Sequence, residues 1–222
     1  MNRNVSLEEI SDGRLYGLND MVKADCQDCV NCSECCHGMG DTILLDPYDM
    51  YRLCSGLGCI PQDRIGKELE VGAQDGLIEI HLAMKGETDA CSFLDSRGRC
   101  SIHPYRPGFC RLFPLGRVYQ EGEFRYFLQI HECVNKNRTK IKVKKWIDTP
   151  NALQYDRYIC DWHYFLLDAQ EVMRRSGDGE LIKNLNLYIL NRFFLKPYAA
   201  ETDFYPQFYQ RLEEARGLLA LE

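Results

Sequence analysis

The longest regular pattern of apolar positions lies in the last third of the chain. In "YDRYICDWHYFLLDAQEVM" the residues Tyr155, Tyr158, Ile159, Trp162, Phe165, Leu166, Ala169, Val172 and Met173 recur at spacings of three and four. That is one continuous helical stripe. The stretch "SGDGE" at 176–180 breaks it, "LIKNLNLYILNRFFL" forms a second helix closed by Pro197, and "YPQFYQRLEEARGLLALE" supplies a third. Before residue 149 the pattern is shorter and irregular. "TILLDPYDMYRLCSGLG" reads as a short strand, then Asp46 as N-cap, Pro47 at the first helical position, and a helix closing near Gly56 or Gly58. "LIEIHLAMK" predicts a strand, "ACSFLDSRGRCSIH" a hairpin turning at Ser96–Arg99, and "RVYQEGEFRYFLQI" another turning at Glu121–Glu123. The expected fold class is α+β: an irregular cysteine-rich core with short antiparallel hairpins over residues 1–148, covered by a helical C-terminal layer over 149–222. The helix from about 150 to 175 is expected to pack on that core, bringing Trp162, His163 and several tyrosines to a functional cleft at the junction.

Length and charge narrow the function. With 222 residues the chain can bury a hydrophobic core without help from cross-links. A net charge of −6 argues against broad nucleic-acid binding, which needs a basic footprint. No apolar run approaches the roughly 18 residues of a membrane span, and "MNRNVSLEEISDGRLYG" lacks a signal-peptide core, so no membrane association is expected and a cytoplasmic location is. One segment departs from the acidic average: "KNRTKIKVKK", residues 136–145, holds six Lys or Arg and no acid. It reads as an edge strand whose Lys140, Lys142 and Lys144 face water, or as a docking strip for an acidic partner.

The cysteines carry the candidate chemistry. There are twelve, eleven of them between positions 26 and 133. That density is below the roughly 8–10% of small secreted disulfide scaffolds, and in a reducing compartment a thiol-rich pattern points to metal or catalysis. The even count leaves disulfides open. Cys26, Cys29, Cys32 and Cys35 make three successive C-x-x-C steps, the form of iron–sulfur ligand runs and also of zinc thiolate sites. A second group comprises Cys91, Cys100, Cys110 and, further on, Cys133. Adjacent side chains in a helix diverge by about 100°, so Cys35 and Cys36 either serve two centres or include one core thiol. His37 and His103 sit beside cysteines and are candidates to complete a mixed site, whereas His81 reads as an ordinary surface or core residue. Arg106 and Arg111 flank Cys110, either to stabilise a thiolate or to hold the loop by a salt bridge. Cys54, Cys59 and Cys160 read as small buried hydrophobes. "CHGMGD" lacks the spacing of a dinucleotide site, and the C-x-x-x-C-x-x-C of radical S-adenosylmethionine enzymes is absent.

The blocks "CVNCSECC" and "CSFLDSRGRCSIHPYRPGFCRLFP" resemble the YkgJ-like cysteine-cluster family, known for a C-x-x-C-x-x-C-C pattern and a zinc- or iron-chelating domain. The resemblance implies Cys29, Cys32, Cys35, Cys36, Cys91, Cys100 and Cys110 as ligands, with Cys133 as a further one. It leaves Cys26, Cys54, Cys59 and Cys160 outside the pattern. Up to eight thiolates exceed the four of one closed zinc site, which favours an iron–sulfur cluster over zinc. Some family members are flagellin lysine N-methylases, so the resemblance also implies S-adenosylmethionine as a cofactor and a flagellin-like protein substrate. No methyl-donor motif accompanies it. The alternatives are a metal-stapled interaction module and an electron-transfer or metal-carrier protein.

Overall fold

The computed structural model describes residues 6–26 and 32–220. In chain order it comprises α1 (Leu7–Ile10), β1 (Ser11–Tyr16), β2 (Met21–Asp25), α2 (Pro47–Leu57), β3 (Leu69–Gln74), β4 (Leu77–Leu82), β5 (Met84–Lys85) and β6 (Ala90–Cys91). There follow α3 (Gly108–Leu112), β7 (Leu115–Gln120), β8 (Glu123–Gln129), β9 (Thr139–Lys142), α4 (Val143–Trp146), α5 (Ala152–Ser176), α6 (Gly179–Ile189) and α7 (Phe204–Leu219). The strands make four small antiparallel sheets, ordered β1-β8-β7, β2-β9, β3-β4 and β5-β6. The fold is α+β, as the apolar pattern predicts. No helix among the described residues is long and apolar enough to cross a membrane.

Local chemistry accounts for most element boundaries. At the start of α2 the Asp46 carboxylate accepts the Asp49 N–H and the Asp49 carboxylate accepts the Asp46 N–H, a reciprocal cap ahead of Pro47. The β7–β8 turn places Glu121 and Gly122 at φ 51° and 83°, the left-handed pair that a two-residue hairpin requires. The β3–β4 turn does the same with Asp75 and Gly76 at 51° and 84°. Two expectations change. "TILL" contributes one bridge, Leu44 to His81, because the Asp46 cap and Pro47 redirect the chain at once. Of the lysine-rich run only Thr139–Lys142 is strand; Lys144 belongs to α4, where Val143 and Trp146 turn inward at helical spacing. Lys140, Lys142 and Lys144 are all exposed.

The C-terminal helices bury an aromatic layer. On α5 Tyr155, Tyr158, Ile159, Trp162, Phe165, Ala169 and Met173 are buried, while Leu166 and Val172 are half-buried. Trp162 packs against Phe165, Phe193 and Phe208, with ring centroids 4.9–6.0 Å apart. After α6 the helix widens into a π-helical turn over Leu190–Leu195, which carries the buried Phe193 and Phe194. Polar contacts lock this layer to the rest. The Tyr158 hydroxyl accepts the Tyr48 N–H and donates to Asp46, both at 3.0 Å. The Asn186 amide accepts from Ile78 N–H at 2.7 Å and donates to the Gly76 carbonyl at 2.9 Å, pinning α6 to the β3–β4 hairpin. The Tyr126 hydroxyl on β8 donates to Asp156 on α5 at 2.5 Å. The buried residues form a single hydrophobic cluster that draws on both halves of the chain.

Beneath the layer lies an ion pair. The side chains of Arg111 and Asp49 are each 2% exposed and meet at 3.3 Å. Asp49 also accepts the Gly108 N–H at 2.7 Å. Arg111 donates further to the Arg106 carbonyl at 2.6 Å, to Thr149 at 3.2 Å and to the Tyr155 hydroxyl at 3.4 Å. A Cβ on Gly108 would stand 2.6 Å from the Tyr155 oxygen, so this position has no room for a side chain.

Removing one partner of such a pair leaves a buried charge uncompensated. Asp49→Ala is therefore expected to cost about 3–5 kcal/mol in urea denaturation, several times an exposed-pair control such as Glu171→Ala. Burial raises the Asp156 carboxyl to about 6, against the partial opposition of Tyr126 and the Arg117 charge. An acid raised in the folded state contributes stability that is fully present below its unfolded value of ~3.9 and lost as pH rises through the folded one. Between pH 4 and 7 the wild type is expected to lose stability relative to Asp156→Asn, read as converging then crossing denaturation midpoints.

Candidate metal centre

Six cysteines surround one cavity of about 100 Å³: Cys32, Cys35, Cys36, Cys91, Cys100 and Cys110. They reach it from four pieces of chain. Cys32 stands at the edge of the described residues, and Cys35 and Cys36 lie on a single 3₁₀ turn, Glu34–Cys36. That turn is pinned to β6 by a bridge between His37 and Ala90 and by Gly38 N–H donating to the Asp89 carbonyl at 2.9 Å. Cys91, on β6, is thereby set alongside Cys36. Cys100 follows a loop closed by Asp95, whose carboxylate accepts the Arg97 and Arg99 N–H groups at 2.9 Å each. A bridge between Leu94 and Cys100 completes that loop, so the expected hairpin is a tight turn with a single bridge. Cys110 sits on α3, adjacent to the buried Arg111.

Apolar side chains form the remaining wall, among them Ile43, Leu82, Ile102, Phe109, Phe113 and Trp146. The Trp146 indole N–H donates to the Leu112 carbonyl at 3.2 Å, which fixes the ring in the cavity wall. Arg99, His103 and Arg106 supply the polar side, with an Arg106 guanidinium nitrogen against the His103 ring.

The thiols are electrostatically coupled. Cys36 donates its S–H to Cys35, which brings the Cys35 thiol down to about 7 and pushes Cys36 up; the Arg106 charge adds to the lowering of Cys35. Burial raises Cys91 and Cys100, and raises Cys110 most strongly, with the neighbouring Cys35, Cys91 and Cys100 opposing a further negative charge there. A cavity of this kind stabilises one thiolate by itself. Several can ionise together only with added positive charge, which a soft metal cation supplies. The donor set thus fits zinc or iron. As they stand, no three His, Cys, Asp or Glu side chains among the described residues are arranged to hold a metal ion.

The other sequence candidates fall elsewhere. Cys29 lies outside the described residues. Cys133 is half-buried in the segment before β9 and does not line the cavity. Cys26 is buried in the hydrophobic core, and Cys160 approaches the Gly122 carbonyl at 3.0 Å. His37 turns its ring to the Ser33 carbonyl, 2.9 Å away, and His81 is buried. Of the two arginines, Arg106 faces the thiols and Arg111 makes the structural salt bridge. Cys35 and Cys36 reach the same cavity, because they occupy one tight turn and touch through their thiols. Trp162 belongs to the aromatic core, and His163 stacks on Tyr119 at 3.6 Å; neither lines the cavity. Trp146, which sequence reasoning passed over, does.

A comparison with protein families matches residues 28–145 to the family CxxCxxCC, described as "Putative zinc- or iron-chelating domain". The chain belongs to the CxxCxxCC family. The matched span contains every cavity cysteine, and the family's description supports metal binding. Neither the comparison with curated proteins nor that with solved structures gave a match.

Serine in place of Cys91, Cys100 or Cys110 is expected to lower bound metal to less than half of the wild-type stoichiometry, measured by elemental analysis of anaerobically purified protein. Serine at Cys133 or Cys160 is expected to leave it unchanged. Equal losses at all five positions would mean that the cavity does not define the site.

Proposed function

We propose that this protein holds an iron–sulfur cluster in the cysteine cavity, with Cys32, Cys35, Cys36, Cys91, Cys100 and Cys110 as the donors from which its ligands are drawn. The observation that carries this reading is the convergence of six thiols on one space. A closed zinc site uses four. The cavity, at about 100 Å³, also exceeds by several fold the roughly 10–15 Å³ that one water-sized particle occupies on the same measure. When bound, such a cluster supplies one-electron redox chemistry. The chain's own residues set its surroundings: Arg106 offers donors and positive charge to the sulfurs, and the Phe109, Phe113 and Trp146 rings limit the access of water. These surroundings suit an electron-transfer site.

A lysine-methylase activity needs, besides the metal, a place for the methyl donor. An open groove of about 430 Å³ between α2 and the turn after α6, walled by Tyr51, Phe194 and Tyr198, is of a size for a ligand. It is formed by residues other than those of the cysteine cavity.

Anaerobically purified protein is expected to be coloured, with visible absorption that bleaches on dithionite and with iron and acid-labile sulfide in near-equal amounts. A colourless protein carrying only zinc would replace this reading with a zinc thiolate site. Calorimetry with S-adenosylmethionine on the metal-loaded protein is expected to show no heat of binding if electron transfer is its whole function; saturable binding that Tyr198→Ala abolishes would favour the methylase.

A further inference from the structure

Two cysteines outside the family pattern, Cys54 and Cys59, form a second thiol site. They occupy the two ends of a helix-terminating motif. α2 ends at Leu57, Gly58 adopts the left-handed conformation at φ 61°, and the Cys59 N–H returns to the Cys54 carbonyl at 3.1 Å. In this motif the side chains of those two positions meet, and the contact is ordinarily between hydrophobes. Here both are thiols, within hydrogen-bond reach of one another. Both are half-buried rather than sealed in the core, and both line the open groove beside Tyr51, Phe194 and Tyr198. Arg64 Nε donates to Cys59 Sγ at 3.5 Å, while its guanidinium also pairs with Glu68 at 3.6 Å. Burial and the neighbouring Cys59 push the Cys54 thiol up to about 12.

From this arrangement we propose that Cys54 and Cys59 are a redox-active dithiol that reacts with small-molecule disulfides entering through the groove. Cys59, beside Arg64, is the attacking sulfur. Its thiolate displaces one thiolate from the disulfide and forms a mixed disulfide on Cys59. Cys54 then attacks Cys59 Sγ, losing its proton to the medium or to the departing sulfur, and expels the second thiol. The two cysteines lose two electrons and two protons in all, and the small disulfide becomes two thiols. The product is a cross-link across the end of α2, where the backbone already returns on itself. The site is independent of the metal reading, because neither cysteine lines the metal cavity.

The sequence provides a direct assay: trypsin releases residues 53–64, "LCSGLGCIPQDR", which contain both thiols and no other cysteine. Metal-loaded protein is incubated anaerobically with oxidised glutathione, quenched with an alkylating agent and mapped by mass spectrometry. The expected result is a peptide two hydrogens lighter and unalkylated, formed at least tenfold faster than glutathionylation of Cys160. Cys54→Ser should trap glutathione on Cys59, and Cys59→Ser should leave Cys54 unmodified. Arg64→Gln should slow the first step by about three- to tenfold, through loss of the charge-assisted contact. A doubly alkylated peptide after Cys160 has reacted, or glutathione trapped on Cys54 rather than Cys59, would overturn the proposal. Far-ultraviolet dichroism and metal content of each variant separate a lost reaction from a lost fold.

Discussion

The Arg111–Asp49 ion pair is the constraint on which the rest of the molecule depends. α3 has five residues, too few to persist as an isolated helix, so its position must come from tertiary contacts. Arg111 supplies them in four directions, to α2 through Asp49, to α5 through Tyr155, to the loop between α4 and α5 through Thr149 and to its own approach through the Arg106 carbonyl. Cys110 is the residue next to it. The cavity wall that Cys110 forms is thus held by its neighbour's charge. A pair removed from water this completely returns little net stability, but its loss is severe, and that asymmetry suits a residue whose task is to fix geometry. Asp49 doubles as the reciprocal cap of α2, so the same carboxylate starts one helix and seats another.

The two arginines on either side of Cys110 divide the labour. Arg111 is spent on carboxylate and hydroxyl partners under the helical layer, whereas Arg106, five residues earlier, turns toward the thiols. The outcome follows from what each faces. Arg111 meets Asp49, an acid buried with it. Arg106 meets sulfur, and its field is part of what brings Cys35 down while the other thiols are held up by burial. Even with Arg99, which also lines the cavity, two guanidinium charges are too few for six thiolates. Burial keeps most of these thiols protonated, and ionising several together needs the charge of a bound cation, in keeping with the family's metal-binding description.

Helices α5, α6 and α7 were legible in the sequence because each presents a wide apolar stripe, and α2 because Asp46, Pro47 and Gly58 mark its ends. The strands β1 and β2 were not, since "SDGRLY" and "MVKAD" alternate over too few apolar residues to stand out. Of the β3–β4 hairpin only the second strand stands out, because "LIEIHL" is apolar while "LEVGAQ" before the Asp75-Gly76 turn is broken by Glu70 and Gly72. At the site, spacing identified the thiols that converge but could not separate Cys133 from them, because which sulfurs face one cavity is decided by bridges such as His37 to Ala90 between segments distant in sequence. The two histidine candidates part ways: His103 lines the cavity, while His37 sets its Nδ1 against the Ser33 carbonyl and is not among the lining residues. Cys54 and Cys59 looked like core thiols because they lie outside the family's pattern and a free thiol ordinarily packs as a small hydrophobe. Only the reversal of the chain at Gly58 brings them into contact.

The two thiol groups differ in what holds them. Cys54 and Cys59 are brought together by a helix end, a local device that needs no metal and survives small movements elsewhere. The cavity cysteines come from a 3₁₀ turn, a two-residue strand, an aspartate-closed loop and a five-residue helix, none of which is stable alone. Their common support is the Arg111 clamp on one side and the bridge to β6 on the other. The C-terminal layer, by contrast, closes its own aromatic cluster through Trp162, Phe193 and Phe208. Support is therefore distributed unevenly: the cysteine-bearing segments rest on contacts between short elements, and the helical layer rests on its own aromatic packing.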